Sequence, residues 1–196
     1  MSDLCAVVLA AGYGRRFAEQ AGVGANKLLA TCAGLDGSRR AVLEHGLLTF
    51  RDWPGERLLV LRRGCVGQAQ LTELAARHGF DSLLVGSDGM GDSLSAAVRA
   101  RASARGWLVA LGDMPWVRND TPLRVAGGMS GDRACVPVYQ GQRGHPVGFG
   151  AAFGPALAAL RGDQGGRRLL QEGRVNLLEV DDPGVLRDVD VPGDLI

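Results

Sequence analysis

The chain has 196 residues, of which 46% are hydrophobic and 22% charged, so we expect a single domain over 1–196 with a sizeable core. Its formal net charge of +1 gives no electrostatic case for nucleic acid as a partner, and its four scattered cysteines form no zinc motif. Because there is no basic leader and no apolar run of about 20 residues, we expect no membrane association and a cytoplasmic location.

Short apolar runs alternate with helix-like segments through the first two thirds of the chain. The predicted strands are 4–8, 58–61, 82–85, 107–111 and 134–138, and the predicted helices are 41–50, 68–78, 92–104 and one that starts at 120. Asp92 and Ser93 are good N-cap residues, and Gly79 suits a helix C-terminus. Near-continuous apolar strands separated by helices predict an α/β fold: a three-layer, Rossmann-like, doubly wound and mostly parallel sheet.

The pattern changes after about residue 130. Two short strands, 136–139 and 145–149, flank a glycine-containing turn at 140–144. We interpret them as an antiparallel addition to the main sheet.

The first predicted strand leads into a glycine loop, Leu9-Ala10-Ala11-Gly12-Tyr13-Gly14-Arg15-Arg16-Phe17. Glycines let backbone N–H groups approach an anion closely, and the arginines add fixed charge. The loop lacks the Gly-Lys-Ser/Thr of a Walker loop, and Phe17 stands where a Rossmann fingerprint has its third glycine. By itself the loop is either a phosphate cradle or a plain turn between strand and helix.

A carboxylate follows another predicted strand, in Leu111-Gly112-Asp113-Met114-Pro115. Ligands of open α/β sheets bind outside the carboxyl ends of the strands, where both this segment and the glycine loop lie. A carboxylate that faces a phosphate loop is suited to Mg²⁺ bound to a triphosphate. The alternative is that Asp113 only caps a turn before Pro115.

Seven segments, spread in order over the whole chain, resemble the nucleotidyltransferases of the MobA/MocA type, and most closely the molybdenum cofactor cytidylyltransferases. They are the glycine loop, Asn26-Lys27-Leu28-Leu29, Gly89-Met90-Gly91-Asp92-Ser93-Leu94, Leu111-Gly112-Asp113-Met114-Pro115, Arg143-Gly144-His145-Pro146-Val147, Gly162-Asp163-Gln164-Gly165 and Asp188-Val189-Asp190-Val191-Pro192-Gly193-Asp194-Leu195. The resemblance implies a fold like that of the nucleotide-diphospho-sugar transferases.

The resemblance also implies roles for individual residues. Nucleotide-binding residues would be Leu9, Ala10, Ala11, Gly12, Gly14, Gly91, Asp92 and Ser93. Arg16 and Lys27 would act on the triphosphate, where their charge offsets that of the pyrophosphate leaving group. Asp113 and Asp190 would hold Mg²⁺, and His145 would face the acceptor.

Some of these residues have a second interpretation. Ser93 also suits a helix N-cap, and His145 a turn before proline. Asp188 and Asp190 also suit caps of the C-terminal segment, an interpretation that we favour for Asp188. The spacer between Arg16 and Lys27 is longer than the family pattern, which leaves the position of Lys27 open.

The resemblance implies Mg²⁺-dependent transfer of CMP from CTP to molybdopterin or its molybdenum form, with release of pyrophosphate. The cytidine preference rests on Ala10-Ala11-Gly12, since guanylyl relatives have a second glycine there. A molybdoenzyme or its chaperone would be the protein partner. The alternatives are a cytidylyl- or guanylyltransferase for another phosphorylated acceptor, and a nucleotide-binding protein without turnover.

Overall fold

The computed structural model describes residues 3–86 and 89–195, which fold into a central sheet with helices on both faces. The strands are β1 Cys5–Ala10, β2 Thr31–Ala33, β3 Arg39–Ala41, β4 Glu56–Arg62, β5 Asp81–Val85, β6 Gly106–Leu111, β7 Arg133–Tyr139, β8 Gln142–Arg143, β9 Val147–Gly150 and β10 Arg174–Glu179. The α-helices are α1 Arg15–Ala21, α2 Val42–Leu48, α3 Gln68–Arg77, α4 Met90–Ala100, α5 Thr121–Gly127, α6 Gly154–Ala158 and α7 Leu169–Glu172. Short 3₁₀ turns cover Lys27–Leu29, Ala151–Phe153, Pro183–Leu186 and Pro192–Asp194.

The main sheet has two halves that differ in strand direction. Its order is β10-β7-β9-β6-β1-β4-β5, with β8 paired to β7 at the side. Strands β6, β1, β4 and β5 are all parallel, and we call them the parallel half. Strand β9 runs antiparallel to both β6 and β7, and β10 runs parallel to β7. We call β7, β8, β9 and β10 the mixed half.

Alternate residues of β1 enter two hydrophobic cores, one on each face of the sheet. Cys5, Val7 and Leu9 pack in the core that contains residues of α4 and α6. Ala6 and Val8 pack in the core that contains residues of α2, α3 and α5. Side chains alternate across a strand, so a fully apolar strand is explained by helices on both sides. The predicted three-layer, mostly parallel α/β fold is therefore confirmed.

The elements differ from the sequence predictions in several places. The antiparallel addition is confirmed, but β9 is inserted between β6 and β7, and the hairpin partner of β7 is the two-residue β8. Helix α4 begins at Met90 with Gly89 as its N-cap, so the prediction that Asp92 and Ser93 are N-caps was wrong. Helices α1, α6 and α7, the β2–β3 hairpin and β10 were not predicted from the sequence.

Glycines with positive φ flank two of the helices. Gly79 (φ 73°) follows α3 and donates to the Ala76 carbonyl, as predicted for a helix C-terminus. Gly14 (φ 58°) is the N-cap of α1 and turns the chain out of the loop after β1.

None of the described helices is both long and apolar enough to cross a membrane.

Candidate active site

The loop after β1 lies at the carboxyl end of the parallel half and is fixed by a cation. Arg62, the last residue of β4, donates from Nη2 to the Ala11 carbonyl at 2.6 Å. The Arg62 guanidinium carbon also lies 3.1 Å from the ring centroid of Tyr13, and that of Arg15 lies 4.6 Å from it. The loop therefore has a defined shape before any ligand binds.

A cavity of about 550 Å³ opens beside this loop, and we call it the loop cavity. Its lining includes most of the predicted nucleotide and triphosphate residues, together with the predicted metal ligand Asp113: Leu9, Ala10, Ala11, Gly12, Gly14, Lys27, Ser93 and Asp113. Arg62, Cys65, Val66, Met90 and Asp163 line it as well. The side chain of Asn26 joins two of its walls, because it donates to the Val66 carbonyl at 2.7 Å and accepts from the Leu28 amide at 3.0 Å.

Three carboxylates meet at one edge of the loop cavity, and we call Asp113, Asp188 and Asp190 the acidic cluster. One oxygen of each lies within 4.8 Å of the other two. Asp113 follows β6, and its carbonyl accepts from the amide of the buried Val189 at 2.9 Å. Val189 is buried in a hydrophobic core, whereas its neighbours Asp188 and Asp190 are exposed and half-buried, respectively.

The turn after the acidic cluster is held by a capping carboxylate. Asp194 accepts from the amides of Asp190 and Val191 at 2.8 Å each. These hydrogen bonds hold the pKa of Asp194 below its usual value, because they stabilise the ionised form. Asp194 therefore fixes the backbone from which Asp190 projects.

Two cations contact the acidic cluster. Lys27 Nζ lies 2.5 Å from Asp113 Oδ2, 2.8 Å from the Val189 carbonyl and 3.5 Å from Asp190 Oδ1. Arg16 Nη1 lies 2.8 Å from Asp190 Oδ2, and its side chain is 76% exposed. The Lys27 side chain is only 13% exposed, so its ion pair with Asp113 is much less screened by water.

The acidic cluster has the donor set and charge that suit a divalent metal. Asp113 Oδ1 is buried and has no hydrogen-bond partner among residues 3–86 and 89–195. Burial, together with the charges of Asp113 and Asp190, raises the pKa of Asp188. Concentrated carboxylate oxygens are the ligands that hard divalent cations prefer, so these residues fit such an ion.

A second cavity, of about 710 Å³, lies against the mixed half, and we call it the strand cavity. It shares Leu9, Met90 and Leu111 with the loop cavity, and its apolar wall includes Leu94, Val109, Val136, Val147, Phe149 and Leu170. The half-buried His145 also lines it, and burial lowers the pKa of that imidazole, partly offset by the charge of Asp113. Arg143 and Arg167 stand at the cavity, and neither forms an ion pair within the described part of the chain.

Comparison with known proteins assigns the family. The family model of the MobA-like NTP transferase domain matches residues 6–177. The chain belongs to this family. A solved structure of an Rv0371c homologue from Mycobacterium sp. strain JC1 has a TM-score of 0.79 and 29% identity over 98% of this chain and 93% of its own. The fold is that of the nucleotide-diphospho-sugar transferases.

Two further relatives are a protein solved with manganese and a protein named for purine catabolism. Rv0371c of Mycobacterium tuberculosis, solved in complex with manganese, has a TM-score of 0.75 and 29% identity over 97% of this chain and 95% of its own. The purine catabolism protein PucB of Bacillus subtilis (strain 168) is 33% identical over 109 residues. The match covers 53% of either protein, so the MobA-like chain spans about half the length of this curated relative.

The structure brings most of the predicted site residues together and separates some of them. Gly91 and Asp92 lie in the first turn of α4 and are not among the residues that line the loop cavity. The Gly91 amide instead donates to the Gly162 carbonyl at 2.7 Å. Arg16 lies outside that lining as well, on Asp190. His145 lines the strand cavity and is not among the residues that line the loop cavity.

Sequence reasoning undervalued two residues of this site. Asp188 was interpreted as a cap, yet its carboxylate belongs to the acidic cluster. The alternation of Asp188 and Asp190 around an apolar Val189 was a signal that both side chains share a face. Arg62 was not singled out, although an arginine at the carboxyl end of a buried strand is in position to contact a ligand there.

Proposed function

We propose that this MobA-like protein is a magnesium-dependent cytidylyltransferase that transfers CMP from CTP to a molybdopterin-type or other phosphorylated acceptor. The observation that carries the proposal is that the loop cavity and the strand cavity adjoin along Leu9, Met90 and Leu111. Asp113 and Lys27 line the loop cavity, and the charge of Asp113 acts on His145, which lines the strand cavity. Two substrates bound in these cavities would meet beside the acidic cluster.

In the proposed reaction, a phosphate oxygen of the acceptor attacks the α-phosphorus of CTP. A new bond forms between that oxygen and the α-phosphorus, the bond from the α-phosphorus to the bridging oxygen breaks, and pyrophosphate leaves with the bonding electrons. The nucleophile is already an anion, so no general base is required. Positioning and charge stabilisation therefore account for the catalysis.

The chain's own residues have separable tasks in this reaction. The loop from Ala11 to Gly14 holds the nucleotide in the loop cavity, and Arg62 keeps that loop in shape. Lys27 and Arg16 neutralise the triphosphate and the departing pyrophosphate. A divalent metal on the acidic cluster would supply further charge neutralisation at the reacting phosphate. The manganese complex of Rv0371c, a relative with 29% identity, supports this use of a divalent ion.

The acceptor side is supported by the chemistry of the strand cavity. An apolar wall that includes Val136, Phe149 and Leu170 suits a flat organic ring system, and Arg143 and Arg167 suit an anionic group. A phosphorylated heterocycle combines both features. Molybdopterin belongs to that chemical class, and the resemblance of the motifs favours it over other members.

Pyrophosphate release tests the proposal directly. The purified protein is incubated with CTP or GTP, with Mg²⁺ or Mn²⁺, and with molybdopterin or a panel of sugar and polyol phosphates. We expect release to require a metal, to be faster with CTP than with GTP, and to be fastest with molybdopterin. Preference for GTP would overturn the assignment of the base, and a faster sugar phosphate would overturn that of the acceptor. No release with any pair would favour a nucleotide-binding protein without turnover.

A further inference from the structure

The two cations expected to bind the triphosphate are instead paired with the carboxylates expected to bind the metal. Lys27 Nζ contacts Asp113 at 2.5 Å and Asp190 at 3.5 Å, and Arg16 contacts Asp190 at 2.8 Å. The contact of Lys27 is the more protected one, because its side chain and that of Asp113 are 13% and 20% exposed. In this state Asp113 and Asp190, two of the three carboxylates of the acidic cluster, are paired with cations of the protein itself.

An ammonium group and a divalent metal cannot both occupy this position. Divalent ions bind carboxylate oxygens at about 2.0–2.6 Å, so a metal on Asp113 and Asp190 would take the oxygens that Lys27 now contacts. The metal would also bring a double positive charge next to the ammonium in a half-buried place. Metal binding therefore requires Lys27 to leave the acidic cluster.

The side chain of Lys27 also lies next to the glycine loop, where we propose that the triphosphate binds. Its side chain lines the loop cavity, and its Cγ would lie 3.9 Å from a Cβ built at Gly14, so its stem passes next to the glycine loop. A triphosphate bound along that loop would offer the ammonium a new set of oxygens. The flexible four-carbon stem of lysine allows the ammonium to move between two partners in this way.

We propose that Lys27 is exchanged between the acidic cluster and the triphosphate, and that this exchange couples the binding of metal and nucleotide. The inference rests on the proposed function, since it takes the nucleotide to lie in the loop cavity. The metal displaces Lys27 from Asp113, and the nucleotide accepts it, so each ligand removes an obstacle to the other. By linkage, the nucleotide raises metal affinity by the same factor as the metal raises nucleotide affinity. The free protein keeps its acidic cluster closed to stray divalent ions.

The composition of the chain makes the movement directly observable. Lys27 is the only lysine among the 196 residues, beside 21 arginines. Protein produced with [ε-¹³C]lysine therefore gives one lysine side-chain NMR signal. We expect this signal to shift when Mg²⁺ and CTP are added together without acceptor, and to shift much less with Mg²⁺ alone at the same concentration. An unmoved signal in the ternary sample, with CTP shown to bind by calorimetry, would overturn the exchange.

Metal affinity gives the second readout, measured as the loss of the free Mn²⁺ signal in electron paramagnetic resonance. Saturating CTP should raise the affinity of the wild-type protein for Mn²⁺ by roughly tenfold, within the usual range of coupling between sites. Lys27→Met should raise Mn²⁺ affinity by a similar factor in the absence of CTP, and much less in its presence. The control Arg174→Met removes the same charge from an exposed pair with Asp132 and should change neither value.

The outcomes separate this inference from the proposed function. If Lys27→Met raises Mn²⁺ affinity equally with and without CTP, Lys27 acts only as a fixed charge and the exchange is wrong. If CTP binds and pyrophosphate is released, but CTP does not change the affinity of the wild-type protein for Mn²⁺, the exchange is wrong and the proposed function stands. If CTP does not bind at all, the proposed function is wrong, and the exchange that rests on it is wrong as well. If the far-ultraviolet circular dichroism spectrum shows that Lys27→Met does not fold, the NMR signal of the wild-type lysine still tests the exchange.

Discussion

The two halves of the sheet present their cationic side chains in different ways. In the parallel half, Arg62 is fixed by a hydrogen bond to the loop and by the Tyr13 ring, and Lys27 is fixed by the acidic cluster. In the mixed half, Arg143 and Arg167 are exposed and make no ion pair within the described residues. The glycine loop of the loop cavity is therefore preorganised by Arg62, whereas the strand cavity depends on the charge that its ligand brings. Preorganised contacts lose less conformational entropy on binding and should give larger effects when they are removed.

The largest effect is expected at the junction of the two halves. Asp113→Asn keeps the size of the side chain but removes the charge that pairs with Lys27 and that the proposed metal would need. We expect Mn²⁺ affinity and kcat/KM for pyrophosphate release each to fall by at least about a hundredfold, the upper range for disturbing the support of a bound metal. Calorimetry with Mn²⁺ and steady-state kinetics with CTP measure the two values.

Asp120 offers a matched control for that variant. Asp120, which precedes α5, is exposed, and its carboxylate lies 4.0 Å from the Arg124 guanidinium, which is a long distance for an ion pair. Asp120→Asn therefore removes a carboxylate charge from a weak pair. Its activity should stay within about twofold of the wild type, as for most surface substitutions. Unchanged turnover of Asp113→Asn would exclude Asp113 as the metal ligand.

The next largest effect should be confined to the loop cavity. Arg62→Met keeps the long apolar stem but removes the donor to the Ala11 carbonyl. A hydrogen bond from a charged group contributes about 1.5–3 kcal/mol, so we expect the Kd for CTP to rise by at least roughly tenfold. The KM for the acceptor should not change. The neighbouring Arg63→Met, an exposed residue that contacts the Leu84 carbonyl at 3.3 Å, is the control. Equal effects of the two variants would show that only general charge matters.

A smaller effect of opposite selectivity is expected at the strand cavity. Arg167→Met should raise the KM for a phosphorylated acceptor by about three- to fivefold, because exposed ion pairs contribute at most about 1 kcal/mol. The affinity for CTP should stay constant. Arg168→Met is the control, since Arg168 is already paired with Glu172 at 2.8 Å and does not line the cavity. A change in CTP affinity with Arg167→Met would remove the distinction between the two cavities.

Sequence reasoning succeeded best where local pattern and tertiary environment agree, which is the parallel half. The unbroken apolar residues of β1 and the run around Leu58 could only be explained by helices on both faces, and the structure has them there. The glycine loop and Asp113 were located from the rule that ligands bind at the carboxyl ends of parallel strands. No such rule exists for where a chain that reverses direction inserts its strands, and the place of β9 was accordingly missed.

The remaining misses depend on contacts between residues that are distant along the chain. Arg62 and Ala11 are 51 residues apart, and Lys27 and Asp113 are 86 apart, so no local pattern reveals either contact. The N-cap prediction at Asp92 and Ser93 failed for a different reason. Gly89 lets the backbone pass close to Gly162, because a Cβ built at Gly89 would lie 2.2 Å from the Gly162 carbonyl carbon, and the helix then starts one residue later, at Met90.

The smallest effect provides a probe of the loop cavity that needs no acceptor. Cys65 is half-buried and lines this cavity, whereas Cys5 and Cys135 are fully buried, which raises their pKa to about 12 and about 11. Burial also raises the pKa of Cys65, so its thiolate fraction, and with it the rate of alkylation, should increase steadily from pH 7 to pH 9.

With CTP at a concentration equal to its Kd, half of the sites are filled and alkylation of Cys65 by iodoacetamide should slow by about twofold. Peptide mass spectrometry follows the three thiols separately in one sample, and the two fully buried ones serve as internal controls for unfolding. A phosphorylated acceptor alone should leave the rate at Cys65 unchanged, because Cys65 does not line the strand cavity. Protection of Cys65 by the acceptor instead of CTP would reverse the assignment of the two cavities, and with it the direction in which the nucleotide and acceptor face each other across Leu9 and Leu111.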